Sequence, residues 1–448
     1  MSFRRLAVAM SVLASMVSWP GCTSSTMSGA PPVPVPAGKY IKHVVIIIQE
    51  NRSFDNMFSG FPGAEAPRFG YEGEKKIALH STPLEDSGNI ENNWRDSISG
   101  WNNGKMNGFA HEHFYGGPRD YAYAYVPRAE SAPYWAMAEQ YVLADHMFPT
   151  EFGPSFTAHL SLIAGNTDIK AGPIAEVDAP NRITWGCDAP PGTRSFTLNV
   201  HRVERFNGPF PCFTRFATLA GVLDAAGVSW KYYASPLKQI GGKVWSEFSA
   251  IRAVRYGPDW KNVISPQTRI LDDVPGGALA GVSWITPDWK DSDHTGSGYN
   301  DGPSWVASIV NAIGESSYWD STAIVVLWDD WGGWYDNVPP PQLDFRGLGI
   351  RVGCIIISPY ARIAPGAKAG YVSHTQYEYG SILKFVEQVF NLPPIGPPPA
   401  GFTDTRATSI LDSFDFSQAP RRFAAIPSQY SESHFRSERP SFIPPDSE

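Results

Sequence analysis

The sequence predicts an α/β protein in which helices layer against a mostly parallel sheet, and three observations carry that expectation. Residues 43–48, 323–328 and 352–358 are almost wholly apolar and rich in β-branched side chains, the pattern of strands buried on both faces of a parallel sheet. Stretches of helical period alternate with these runs, as a layered α/β sandwich requires. Each run stops abruptly, the first at Glu50-Asn51, the second at Asp329-Asp330 and the third at Pro359. In open α/β sheets, binding groups collect beyond the carboxyl ends of the strands.

Taken in order, the chain opens with Arg4 and Arg5 ahead of an apolar stretch, residues 6–17, too short to span a membrane. Residues 1–22 are therefore expected to be an export signal, which places the mature protein in the periplasm, outside the cell or on the envelope. Gly21-Cys22-Thr23 resembles a lipobox, so a lipid on Cys22 would anchor the chain to a membrane. Trp19 and Pro20 depart from that motif, and an ordinary secretory signal is the other reading. Residues 23–40 form a Pro-rich tether without a core-forming pattern. One domain is expected over residues 41–420, since α/β folds of this length grow by insertion.

Within that domain, residues 63–133 carry Asn, Gly and Trp clusters without period and are expected to form a loop-like region over the site. Cys187 and Cys212 bracket a Pro- and Gly-rich segment and are the plausible disulfide in an oxidising compartment, whereas Cys354 falls in an apolar run and reads as a buried thiol. Helices are expected at 304–313, entered through Asp301-Gly302-Pro303, and at 379–390, which ends before a Pro-rich stretch. The polar tail, residues 421–448, is expected to pack little. With a net charge of −8 and no run of Lys or Arg, the chain has no electrostatic footprint for a stable nucleic-acid partner.

Polar groups directly after doubly buried strands are costly unless they meet an ion or a partner. Glu50 and Asn51 after one strand, with the adjacent carboxylates Asp329 and Asp330 after another, supply oxygen ligands for one hard divalent cation, with calcium, magnesium and manganese the best matches. A solvated turn in each place is the alternative.

The segments HVVIIIQENRSFDNMF, EFGPSFTAHLSLIAG, SDHTGSGYNDGPSWV, VVLWDDWGGWYDNVPPP and HTQYEYGSILKFVEQVFNLPP resemble, in order, the blocks of the phosphoesterase family that includes bacterial phospholipases C, acid phosphatases and plant non-specific phospholipases C. The resemblance runs from Lys42 to Pro394. It implies an alkaline-phosphatase-like three-layer sandwich, a metal ion held by Glu50, Asn51, Asp329 and Asp330, and Ser155 as nucleophile. Taken alone, Ser155 after Gly153-Pro154 reads as a helix cap, and Thr157 is the alternative nucleophile. His294 matches a family histidine suited to binding phosphate or protonating the leaving oxygen.

Arg52, His159 and His374 are candidate substrate-binding residues, with a salt bridge to Asp55 as the other reading of Arg52. His111 and His113 are weaker candidates. Plant-type relatives carry His where this chain has Trp331, Asn337, Tyr379 and Asn92, which bears on the general acid and the pocket. Trp331, Trp334 and Tyr335 could line a slot for an apolar leaving group or belong to the core. Hydrolysis of a phosphate ester follows, either a phospholipid diester or a simple monoester as in an acid phosphatase. A surface lipoprotein that binds without catalysis is the alternative. No CxPxR-like signature points to a sulfatase.

Overall fold

The computed structural model describes residues 37–443 apart from 86–87, 113–117, 119, 170–173, 180–183, 240–241 and 397–401. The export signal, Cys22, most of the tether and His113 lie outside the described residues, as does the side chain of His111.

Nine strands form the central sheet: β1 (His43–Gln49), β2 (Val142–Phe148), β3 (Trp230–Tyr233), β4 (Val263–Ile264), β5 (Val282–Ile285), β6 (Thr322–Trp328), β7 (Val352–Ile357), β8 (Tyr371–Ser373) and β9 (Tyr377–Glu378). Their order is β4-β3-β5-β1-β6-β7-β2-β8, with β9 also beside β2. Every residue of β6 and β7 is buried, as is all of β1 except His43, which explains why these three strands show as unbroken apolar runs. The direction of β7 differs from the sequence expectation. It runs antiparallel to both β6 and β2 while the other pairings are parallel, and a strand buried on both faces has the same composition whichever way it runs.

Six helices matter for the site: α1 (Phe54–Phe58), α2 (Ala132–Gln140), α3 (Ser155–Ala164), α4 (Gly302–Gly314), α5 (Tyr379–Phe390) and α6 (Glu432–Ser437). Helix α2 packs on α4, and α3 on α5. Trp284 of β5 donates its indole N–H to the Leu162 carbonyl of α3, tying that helix to the sheet. The tail does not behave as expected. Phe435 of α6 is fully buried against Trp305 of α4, Ile426 is buried with its N–H on Asn311, and Phe423 packs on Trp319, so a few apolar residues spaced along a polar segment dock it.

Residues 63–133 also carry more structure than their sequence suggests. They hold a hairpin (Phe69–Glu72 with Lys75–Ala78), a parallel strand pair (His80–Ser81 with Ala124–Tyr125) and a helix at Trp94–Trp101. A second apolar cluster joins them to the loop after β6, where Phe109 and Tyr123 pack on Trp331 and Tyr335. Trp331, Trp334 and Tyr335 are thus core rather than an open slot. Cys187 and Cys212 form a disulfide, and Cys354 is a buried thiol.

Candidate functional site

Register brings the two acidic strand ends together. Gln49 of β1 pairs with Trp328 of β6, so Glu50 and Asp329 leave the sheet side by side. The Asp329 N–H donates to the Gln49 carbonyl (2.9 Å), and the Asn51 N–H donates to Asp329 Oδ1 (2.9 Å). Asn51 adopts a left-handed conformation with φ 50°, which Asn tolerates better than most residues. The turn after Asp330 closes against it at Gly332, where φ is 60° and a Cβ would lie 2.0 Å from the Asn51 carbonyl oxygen. Only glycine fits that approach.

The third contribution comes from β2, parallel to β1 and β6, whose chain continues past Phe148 to the first residue of α3. That residue is Ser155. Its Oγ lies 3.2 Å from Glu50 Oε2, 3.3 Å from Asn51 Oδ1 and 3.2 Å from Asp330 Oδ2. Thr157 turns away and donates to the Pro154 carbonyl (3.1 Å). His159, four residues beyond Ser155 on the same face of α3, sets Nε2 2.9 Å from Glu50 Oε1 and 3.6 Å from Asp329 Oδ2. It is fully buried, as Ser155 and Glu50 are, and its contacts are with the carboxylate cluster. The Ser-x-x-x-His spacing is the sequence signal for that position.

The donor set fits a cation. A hydroxyl has one proton, yet three acceptor oxygens surround Ser155 Oγ. Glu50, Asp329 and Asp330 are all fully buried, and carboxylates so crowded need a compensating positive charge. Two neighbours report the same field. The Tyr379 hydroxyl, directed at the carbonyls of Trp328 (2.7 Å) and Asp329, is held protonated by burial and then by the charges of Asp329, Asp330 and Glu50. Buried Glu247 has its carboxyl pushed well above the usual range by desolvation and then by Glu50. Asn92 donates to Asp330 Oδ1 (2.9 Å), as does the Gly332 N–H (2.7 Å). Asn92 and Tyr379, two of the positions where plant-type relatives carry His, thus border the acidic strand ends, whereas Glu247 was not expected there because no local pattern links it to them.

Other expected residues are placed differently. Arg52 makes no clamp facing solvent and no bridge to Asp55. It is fully buried, donates to the carbonyls of Asp293 (2.7 Å) and Leu84 (3.1 Å) and to Asn56 Oδ1 (3.3 Å), and stacks on Trp334. Asp55 pairs instead with Arg351 (3.2 Å), which also holds Asp336 (3.0 Å). His294 is buried between Trp245 and Trp289, with Nδ1 2.6 Å from the Thr295 carbonyl. A carbonyl only accepts, so Nδ1 carries a proton. The neighbouring Asp293 takes hydrogen bonds from Tyr134 (2.8 Å) and Trp328 (2.9 Å), but burial outweighs them and lifts its carboxyl to about 6. His374 is not brought to the Ser155 group; its Nδ1 meets Asp145 Oδ2 at 2.9 Å.

The chain is similar to several known proteins. Among curated sequences, the chain is 25% identical over 420 residues to a non-hemolytic phospholipase C of Pseudomonas aeruginosa, covering 80% of this chain and 55% of that protein. It thus spans about half the length of that relative. It is 22% identical over 456 residues to phospholipase C B of Mycobacterium tuberculosis, covering 85% and 78%, and 27% identical over 146 residues to non-specific phospholipase C6 of Arabidopsis thaliana, covering 27% and 28%. A solved alkaline phosphatase superfamily protein from Vibrio parahaemolyticus aligns with TM-score 0.39 and 11% identity over 84% of this chain and 72% of that one. The profile of the Phosphoesterase family matches residues 41–393, nearly the whole of the domain that carries these groups, and the chain belongs to that family.

Proposed function

We propose that this protein is a metal-dependent phosphoric-ester hydrolase that attacks phosphorus with Ser155, and that its substrates are phospholipid diesters cleaved in the manner of a phospholipase C. The observation that carries this reading is the convergence of Glu50, Asn51 and Asp330 oxygens on one serine hydroxyl at 3.2–3.3 Å. Glu50, Asn51, Asp329 and Asp330 would hold one divalent ion, with His159 behind Glu50. When bound, such an ion neutralises phosphoryl charge and acidifies a neighbouring hydroxyl.

The chain's own groups supply the remaining steps. Glu50 Oε2 and Asp330 Oδ2 are both within reach of the Ser155 proton. The Ser155 oxygen forms a bond to phosphorus as the bond to the alcohol breaks, leaving a phosphoseryl group. The first N–H groups of α3 face the phosphoryl oxygens, as at other helix N-termini. His294, its Nδ1–H held by the Thr295 carbonyl, would give the departing alcohol a proton carried on Nε2 and recover one there from the attacking water. Water then attacks the phosphoserine, releases the phosphorylated head group and restores Ser155.

Export, and attachment to a membrane through Cys22, belong to the same reading, because they would bring the site to lipid. The test is diacylglycerol release from phosphatidylcholine vesicles compared with hydrolysis of p-nitrophenyl phosphate, before and after exhaustive chelation and readdition of calcium, magnesium or manganese. Lipid cleavage lost on chelation and restored by a cation is expected. Activity on the monoester alone would replace the phospholipase reading with an acid phosphatase. Turnover that survives chelation, with no metal by elemental analysis, would refute metal dependence.

A further inference from the structure

Among the described residues, a second set of metal-ligating side chains gathers away from Ser155. It lies at one end of the sheet order, where β8 pairs in parallel with β2 and Ser373 stands opposite Ala144. That register sets His374 beside Asp145 and His146. Asp145 is buried, with His146 Nδ1 2.8 Å from Oδ1, His374 Nδ1 2.9 Å from Oδ2, and the Glu65 N–H donating to Oδ2 at 3.0 Å. Ligand atoms of Asp145, His146 and His374 all lie within 4.8 Å of one another.

We infer that Asp145, His146 and His374 form a second site for a divalent ion of the zinc class, with one position left open to solvent. Glu65 Oε2 stands 3.6 Å from the opposite ring nitrogen, His146 Nε2, and so lies outside the set. Three protein ligands and one open position are an arrangement zinc accepts. The two imidazoles and one carboxylate make a borderline donor set, in contrast to the oxygen-rich group around Ser155. Coordination needs no added reagent. When the proton of an imidazole moves to its other ring nitrogen, the first presents a lone pair.

Outer contacts already hold the set in place, as outer-shell partners do at metal sites. Arg351 donates to the carbonyls of Asp145 (2.8 Å) and Glu65 (2.9 Å), and Asn337 donates to Glu65 Oε1 (3.3 Å). An ion has a path in, because the side chains of His374 and Glu65 are 61% and 55% exposed.

Full-length protein stripped by chelation would be titrated with zinc chloride, and bound zinc counted by elemental analysis after gel filtration. His374→Ala is expected to bind one equivalent fewer than the parent, and His146→Gln likewise. Cobalt loading should give a visible absorption band that both variants lose. The readout is a difference, so failure of the Ser155 group to take up an ion lowers all counts alike and leaves this test intact. Equal zinc counts in the parent and His374→Ala would overturn the site. That variant decides even where His146→Gln fails to fold, since the His374 imidazole stands largely in solvent.

Discussion

Replacing Ser155 with Ala tests the central assignment, and the geometry sets the scale of both its effects. The Oγ contacts at 3.2–3.3 Å are long for hydroxyl hydrogen bonds, so their loss should cost no more than about 1.5 kcal/mol of stability, the lower end for bonds to charged acceptors. The same change removes the proposed nucleophile. Turnover should fall by at least about 10⁴-fold, equivalent to roughly 5.4 kcal/mol of transition-state stabilisation. Metal content, set by Glu50, Asn51, Asp329 and Asp330, should not change.

Thr157→Ala is the internal control. Its hydroxyl is spent on the Pro154 carbonyl at 3.1 Å, so about 1 kcal/mol of stability and less than about threefold in turnover are expected. Steady-state rates on phosphatidylcholine, urea unfolding and rapid quenching of the parent with radiolabelled substrate supply the three readouts. If Ser155→Ala kept a rate within tenfold of the parent, and quenching trapped no phosphate on Ser155, the covalent route would be wrong.

Three other outcomes follow from buried charge and chain topology. Arg351→Met strands the fully buried Asp55 and Asp336 carboxylates and should cost about 3–5 kcal/mol in urea unfolding; a loss below 1 kcal/mol would show that the pair is already neutralised by protons. Burial pushes the Glu151 carboxyl up to about 8 despite Arg346 nearby. Its folded value exceeds its unfolded one, so its contribution is full below about pH 4.5 and fades as pH rises through 8. Glu151→Gln should flatten that slope, and an unchanged pH profile of thermal unfolding would contradict the shift. Opening the Cys187–Cys212 disulfide, a separation of 25 residues, should lower stability by about 3–4 kcal/mol in the chain-entropy account, read by unfolding of Cys212→Ser.

The legible parts of this protein share one physical property: their signal is local. Residues 43–49 and 322–328 are apolar throughout because both faces are covered, and the carboxylates that follow stand out because nothing apolar accompanies them. What stayed hidden depends on distant partners. Arg351 reaches Asp55 across 296 residues of chain, so the short spacing from Arg52 suggested the wrong bridge. Asn92 finds Asp330 across 238 residues from a segment without period, whose apolar residues become a core only on meeting Trp331 and Tyr335. His374 lies in a recognisable block, yet strand pairing, which no residue pattern encodes, assigns it to Asp145.

The reversed direction of β7 has a consequence for how such a protein can diversify. Because β6 leaves the sheet and β7 re-enters it at the same edge, residues 329–351 depart and return without ever crossing to the far side. This excursion carries Asp330, Gly332, Trp331, Trp334, Tyr335 and Arg351, and it is anchored at both ends by paired strands. Its middle can lengthen, shorten or change chemistry without displacing the strands. That makes it an interchangeable cassette for grafting between relatives, whereas the Asp330–Gly332 corner pressed against Asn51 would have to travel unchanged.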